Sequence, residues 1–148
     1  MINVLCYGDS NTYGYNPLNG QRFNTNERWT GRLQSMLGRN YKIIEEGLNG
    51  RTTILDDPMG ENRNGEQYFD VALKSNYPVD LVVIMLGSND LKKRFNMPAA
   101  DIADGAGKIV DKAINFSKMK NKHKKPCKVL LVSPVHIGAD IEESPYSD

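Results

Sequence analysis

Three short stretches of the chain carry the side chains that acyl-transfer chemistry uses: "GDSNTYG" at 8–14, "GLNGRTT" at 47–53 and "GSND" at 87–90. Attack on an ester carbonyl needs a hydroxyl nucleophile and hydrogen-bond donors aimed at the oxyanion that develops as the carbon becomes tetrahedral. Ser10 is the candidate nucleophile, and the backbone amides of Ser10 and Gly50 with the side-chain amide of Asn89 are the candidate donors. Glycine at position 50 lets a backbone approach a substrate closely, and an asparagine amide donates without any protonation requirement. Each stretch also has an ordinary reading. Gly, Asp, Ser and Asn build turns, Gly50 serves a tight turn, and Asn89 or Asp90 caps the segment that follows. Which reading holds depends on where the chain places the three stretches.

Four apolar segments read as strands: Ile2 to Tyr7, Tyr41 to Glu46, Asp80 to Leu86 and Cys127 to Ser133. The last two are near-continuous Val/Ile/Leu runs, the pattern of strands covered on both faces in a parallel sheet. Between them the sequence predicts helices. Trp29, Leu33, Met36 and Leu37 form an apolar stripe over 27–37, with Asn26 as N-cap and Gly38 as the stop. Tyr68, Val71, Ala72 and Leu73 mark a shorter helix ending ahead of Pro78, and Ile102, Ala106, Ile109, Val110, Ala113, Ile114 and Phe116 mark the longest, with Pro98 near its start. The alternation of strand and helix predicts an α/β fold with right-handed crossovers, whose ligands bind beyond the carboxyl ends of the strands. All three chemical stretches follow predicted strands, so a parallel sheet brings Ser10, Gly50 and Asn89 to one edge and into one crevice.

With that placement the residues resemble a family. "GDSNTYG", the glycine of "GLNGRTT" and "GSND" are similar to the first three sequence blocks of the SGNH (GDSL-type) hydrolases, and "RWTG" with "EEGLNGRTTILDDP" resembles the bacterial arylesterase and acyltransferase branch. The resemblance runs from Ile2 to about Pro134. It implies a flavodoxin-like three-layer α/β/α sandwich, a small-molecule ester as substrate, and hydrolysis or acyl transfer through an acyl-serine. It assigns Ser10 as nucleophile and first oxyanion amide, Gly50 as second amide and Asn89 as side-chain donor, with Asp9 and Asp90 shaping the loops.

The family's activating histidine and its aspartate come from an Asp-x-x-His block near the C-terminus, and this sequence has no such block. His123 lies in the lysine-rich stretch "KMKNKHKK", and His136 follows the fourth strand with no Asp two or three residues before it. The expectation is therefore one SGNH-like domain over 1–148, lacking the final strand and helix and inactive on its own. Two other readings stay open: a non-catalytic relative that keeps the crevice for binding, and a nucleotide or phosphate binder using the first loop. The latter lacks the lysine of a P-loop and the spaced glycines of a dinucleotide fingerprint.

The 148 residues suit a single domain, and 39% hydrophobic with 25% charged residues is ordinary for a globular chain. A formal charge of +1 gives no reason for a polyanionic partner, and Lys118, Lys120, Lys122, Lys124 and Lys125, without interleaved aromatics, read as a solvated bend rather than a nucleic-acid site. No apolar run reaches spanning length and no signal peptide is evident, so the expected address is the cytoplasm, with no membrane partner. Cys6 and Cys127 read as free buried hydrophobes, and no His/Cys/carboxylate spacing suggests a metal or cofactor. A homo-oligomer stays open. Trp29 belongs to the predicted core, while Tyr13 and Phe95 follow strand ends where they could wall a pocket.

Overall fold

The structure, a computed structural model, describes residues 1–120, 126–138 and 144–145. Four strands, β1 (Ile2–Gly8), β2 (Tyr41–Gly47), β3 (Leu81–Met85) and β4 (Lys128–Val132), form one sheet in the order β2-β1-β3-β4. All three pairings are parallel. The chain steps from β1 to β2 on one side and then crosses to β3 on the other. The loops after β1 and β3 consequently diverge, which opens a crevice at that edge of a doubly wound sheet.

Alternation along β1 divides the core. Val4 and Cys6 face one side with Val83, where Trp29 of α2 (Trp29–Leu37) packs against them with Ile43 and Val132. Leu5 and Tyr7 face the other side with Val82 and Ile84. There they meet Phe69, Ala72 and Leu73 of α3 (Gly65–Ser75) and Ile109, Ala113 and Phe116 of the long helix ending at Lys120. The Tyr7 and Phe69 rings meet edge to face at 5.0 Å, and the Tyr7 hydroxyl donates to the Gly65 carbonyl at 2.7 Å. Helices thus cover both faces, giving three layers.

The sequence reading and the structure differ in how several elements end and pack. Arg28 rather than Asn26 is the N-cap of α2, because residues 24–28 are occupied by a turn in which the Asn24 carbonyl accepts from the amides of Glu27 and Arg28. The α2 stripe does not bury as expected either. Met36 is 82% exposed, and the helix sits down instead on Thr30 and Gly31, whose missing side chain admits the Thr25 backbone. In α3 it is Phe69 that fills the core, while Val71 is 66% exposed. The long helix runs unbroken over Ala99–Lys120, so Lys118 and Lys120 stand on its last turn rather than in a bend. Lys122, Lys124, Lys125 and His123 lie outside the described residues. Finally, β4 stands at the end of the sheet order among the described residues and leaves Leu130 and Leu131 about half exposed, without the cover on both faces that its apolar run suggests.

Both cysteines are free, Cys6 buried as expected and Cys127 only half-buried; burial pushes the Cys6 thiol up to about 12, with the charge of Glu45 adding to the effect. Among the described residues no helix is long and apolar enough to cross a membrane. Phe69 has no exposed surface and joins α3 to β1, so Phe69→Ala should lower unfolding stability by about 3–5 kcal/mol. Val71→Ala, two residues away on the open face, should stay within about 0.5 kcal/mol of the parent in the same urea titration.

Candidate active site

Gly8 pairs with Gly47 on one side and with Met85 on the other, so β1, β2 and β3 end at one level. Ser10 therefore leaves the sheet beside the loops of Gly50 and Asn89. It opens a one-turn helix, α1 (Ser10–Tyr13), capped by the Asp9 carboxylate, which accepts from the Asn11 backbone amide at 2.9 Å and side-chain amide at 3.1 Å. As the first helical residue, Ser10 has no carbonyl a turn behind it to receive its N–H. The helix folds back tightly over β2: a β carbon at Gly47 would run into the backbone of Thr12 and Tyr13. The Ser10 side chain is half-buried.

Gly50 occupies the third position of a turn closed by the Arg51 amide donating to the Leu48 carbonyl at 3.1 Å, and its φ of +80° is the value that position favours in a type II turn. Its missing side chain is also filled by a neighbour. A β carbon there would stand 2.6 Å from Nε of Arg63.

Asn89 is buried, and its Nδ2 donates to the Arg51 carbonyl at 3.0 Å. An amide nitrogen carries two hydrogens, so this bond fixes the group while leaving one N–H for another acceptor. Asp90 is not an N-cap. Its fully buried carboxylate accepts from the Thr53 backbone amide at 2.9 and 3.1 Å and from the Thr53 hydroxyl at 2.5 Å, tying the third loop to the second. Burial raises the Asp90 pKa against those bonds. It raises that of Asp9 as well, with hydrogen bonds from Asn11 and Ser88 opposing and the charge of Asp90 adding.

Sequence reasoning missed a charged cluster that braces these loops. Asp57 has a fully buried side chain gripped by Arg63 at 2.8 Å and by Arg94 at 2.7 and 3.2 Å, with the Met59 amide also donating at 3.0 Å. Burial alone would raise its pKa, but Arg94, the Met59 amide and Arg63 hold it well below the usual carboxylate range. The partners are 6 and 37 residues away in sequence, so no local pattern announces them. A second cluster holds the segment after α1, where the Glu45 carboxylate receives Arg22, Arg28 and the Thr30 hydroxyl.

Tyr13 and Phe95 are half-buried, each with a guanidinium over its ring: Arg22 at 4.5 Å and Arg94 at 4.9 Å. His136 is exposed. Cavities of about 890 and 410 Å³ lie elsewhere, the first at the opposite, amino end of the strands and the second between the 56–63 loop and α3. Neither is lined by Ser10, Gly50 or Asn89, whose setting is an open sheet edge.

The parallel sheet thus places a serine, a turn glycine and a fixed asparagine after its first three strands. Residues 6–145 match the GDSL-like lipase/acylhydrolase family, and the chain belongs to it. Among solved structures, the inhibitor-bound aryl esterase of M. Smegmatis is 39% identical over 90% of this chain, with a TM-score of 0.85. Est24, a carbohydrate acetylesterase from Sinorhizobium meliloti, is 39% identical over 99% of it, with a TM-score of 0.87. The chain spans 64% of the length of the first and 71% of the second. AlinE4, an SGNH-hydrolase family esterase at 24% identity and a TM-score of 0.61, shares the fold. No curated protein sequence matches the chain significantly.

The Asp57 cluster predicts a pH dependence. A carboxyl whose pKa is depressed on folding contributes stability that is present above its unfolded value of 3.8 and is lost as pH falls toward the depressed one. Asp57→Asn should therefore be less stable than the parent at pH 7, and the gap should narrow below about pH 4. Urea midpoints at the two pH values measure it; a gap that is constant or widens on acidification contradicts the assignment.

Proposed function

We propose that the protein is a serine esterase acting on small acyl esters. Ser10 attacks the ester carbonyl carbon; the N–H groups of Ser10 and Gly50 and the second N–H of Asn89 receive the oxyanion. Collapse of the tetrahedral intermediate breaks the bond to the alcohol, which leaves with a proton, and the acyl group stays on the Ser10 oxygen until water or a second alcohol takes it. The observation that carries this reading is the bond from Asn89 Nδ2 to the Arg51 carbonyl: a buried neutral amide, held by one hydrogen beside Gly50, with the other to spend on substrate. Membership of a lipase/acylhydrolase family supports it, as do the two relatives whose names specify an aryl esterase and a carbohydrate acetylesterase.

The Ser10 proton needs an acceptor. Of the two histidines in the sequence, His136 is exposed and His123 lies outside the described residues. In triad enzymes loss of the histidine costs on the order of 10⁶ in turnover, about as much as loss of the whole triad. Residues 1–148 by themselves are accordingly a poor catalyst, acylated slowly and released slowly.

Incubation with p-nitrophenyl acetate followed by peptide mass spectrometry tests both statements. A single acetyl group should accumulate on Ser10 in preference to Ser35, Ser75 and Ser88, with steady turnover close to that of Ser10→Ala. Acetylation spread evenly over the serines would favour a non-catalytic binding module instead. Ser10-dependent turnover at ordinary enzyme rates would keep the esterase and overturn the missing base, pointing to His136 or a histidine from a second copy. Asn89→Ala should slow Ser10 acylation by about 10²- to 10³-fold with the fold retained, the worth of one oxyanion donor; an unchanged rate would leave Asn89 a purely architectural role.

A further inference from the structure

Arg51 is the point at which the three loops meet. Its amide closes the turn that carries Gly50, and its carbonyl accepts Asn89 Nδ2 at 3.0 Å. Its guanidinium reaches the other way, Nη1 donating to the carbonyl of Gly8 at 2.9 Å and of Glu46 at 2.5 Å. These are the last residue of β1 and the last but one of β2. The guanidinium carbon lies 4.1 Å from the centre of the Tyr7 ring.

The side chain is 7% exposed and forms no ion pair among the described residues; its Nε is buried without a hydrogen-bond partner. Burial pulls its pKa down, with Tyr7, Glu46 and Asp9 opposing. A guanidinium held this way loses hydration that no carboxylate replaces, and an apolar side chain of the same size would fill the space without that loss. Filling the core does not account for an arginine here. Gripping two carbonyls on adjacent strands does, because the planar guanidinium makes both contacts from one nitrogen, Nη1, at fixed spacing and stacks on an aromatic face at the same time.

We infer that Arg51 is the positioning residue of the site: its guanidinium, locked on the Gly8 and Glu46 carbonyls and the Tyr7 ring, fixes the turn that presents Gly50 and the carbonyl that orients Asn89. The meaning of Gly50 and Asn89 as oxyanion donors rests on the esterase reading; the mechanical coupling does not.

Two measurements on the 148-residue chain separate them. The first is hydrogen exchange of the Asn89 side-chain amide and the Gly50 amide by NMR, with the Ile109 and Ala113 amides of the long helix as the reference for global stability. Arg51→Met, which keeps the backbone carbonyl and removes the guanidinium, should raise exchange at Asn89 by about tenfold or more while the helix amides stay near parent rates; Arg51→Lys, with charge but no planar guanidinium, should fall between. Parent-like exchange at Asn89, or an equal rise at Ile109 and Ala113, overturns the proposal. Should Arg51→Met fail to fold, Arg51→Lys decides by the same criterion.

The second is acetylation of Ser10 in a double-mutant cycle. Because Arg51 acts partly through Asn89 and partly through the Gly50 turn, adding Arg51→Met to Asn89→Ala should slow acylation by less than the product of the two single effects, whereas effects that multiply in full would overturn the coupling. A parent that never acetylates Ser10 sinks the esterase reading, and the exchange data then decide the role of Arg51 alone.

Discussion

Parallel pairing at Gly8 is the constraint on which the site depends. Because Gly8 is in register with both Gly47 and Met85, three strands stop together and three loops leave from one line of the sheet. The crossing of the chain from β2 to β3 then pulls the loops after β1 and β3 apart. A shift of one residue in either pairing would turn alternate side chains over, sending Leu5 and Tyr7 to the α2 face and Val4 and Cys6 to the face of α3. The apolar core and the level of the edge that carries Ser10, Gly50 and Asn89 are thus fixed by the same register.

Beyond that edge the loops have little regular structure, and polar groups do the holding that apolar packing does elsewhere. Asp90 binds the third loop to Thr53 of the second; Asp57 binds Arg63 and Arg94 across the same gap; Arg51 returns from the second loop to the end of the first strand. Each link is buried or half-buried, so each is screened weakly and is costly to break. Such links suit a site that must hold donors in place before the substrate arrives, since reorganisation during the reaction would cost rate. Arg63 shows the economy of the arrangement: one guanidinium lies across Gly50 and salt-bridges Asp57.

The sequence by itself determined the strand and helix order, the parallel α/β architecture, and the three chemical stretches at strand ends. All of these rest on local signals: apolar runs bounded by small polar residues, and a helical period between them. It also gave the family, since the resemblance rests on motifs contiguous in the chain. The tertiary structure decided which face of α2 and α3 is buried, because a stripe of Trp29, Leu33, Met36 and Leu37 says only that one side is apolar, and Thr30 and Gly31 fit closer to the sheet than Met36 can.

The tertiary structure also set the burial along β4, where Leu130 and Leu131 stand about half exposed among the described residues. Above all it decided the partners of charge. Nothing local distinguishes Asp57 or Arg51 from a solvated surface residue, and the partners that tie Asp57, Asp90 and Arg51 to other loops and strands, up to 43 residues away, are found only when the sheet brings the loops together. The sequence supplied the groups able to do the chemistry; long-range pairing in a weakly screening interior supplied their fixed positions.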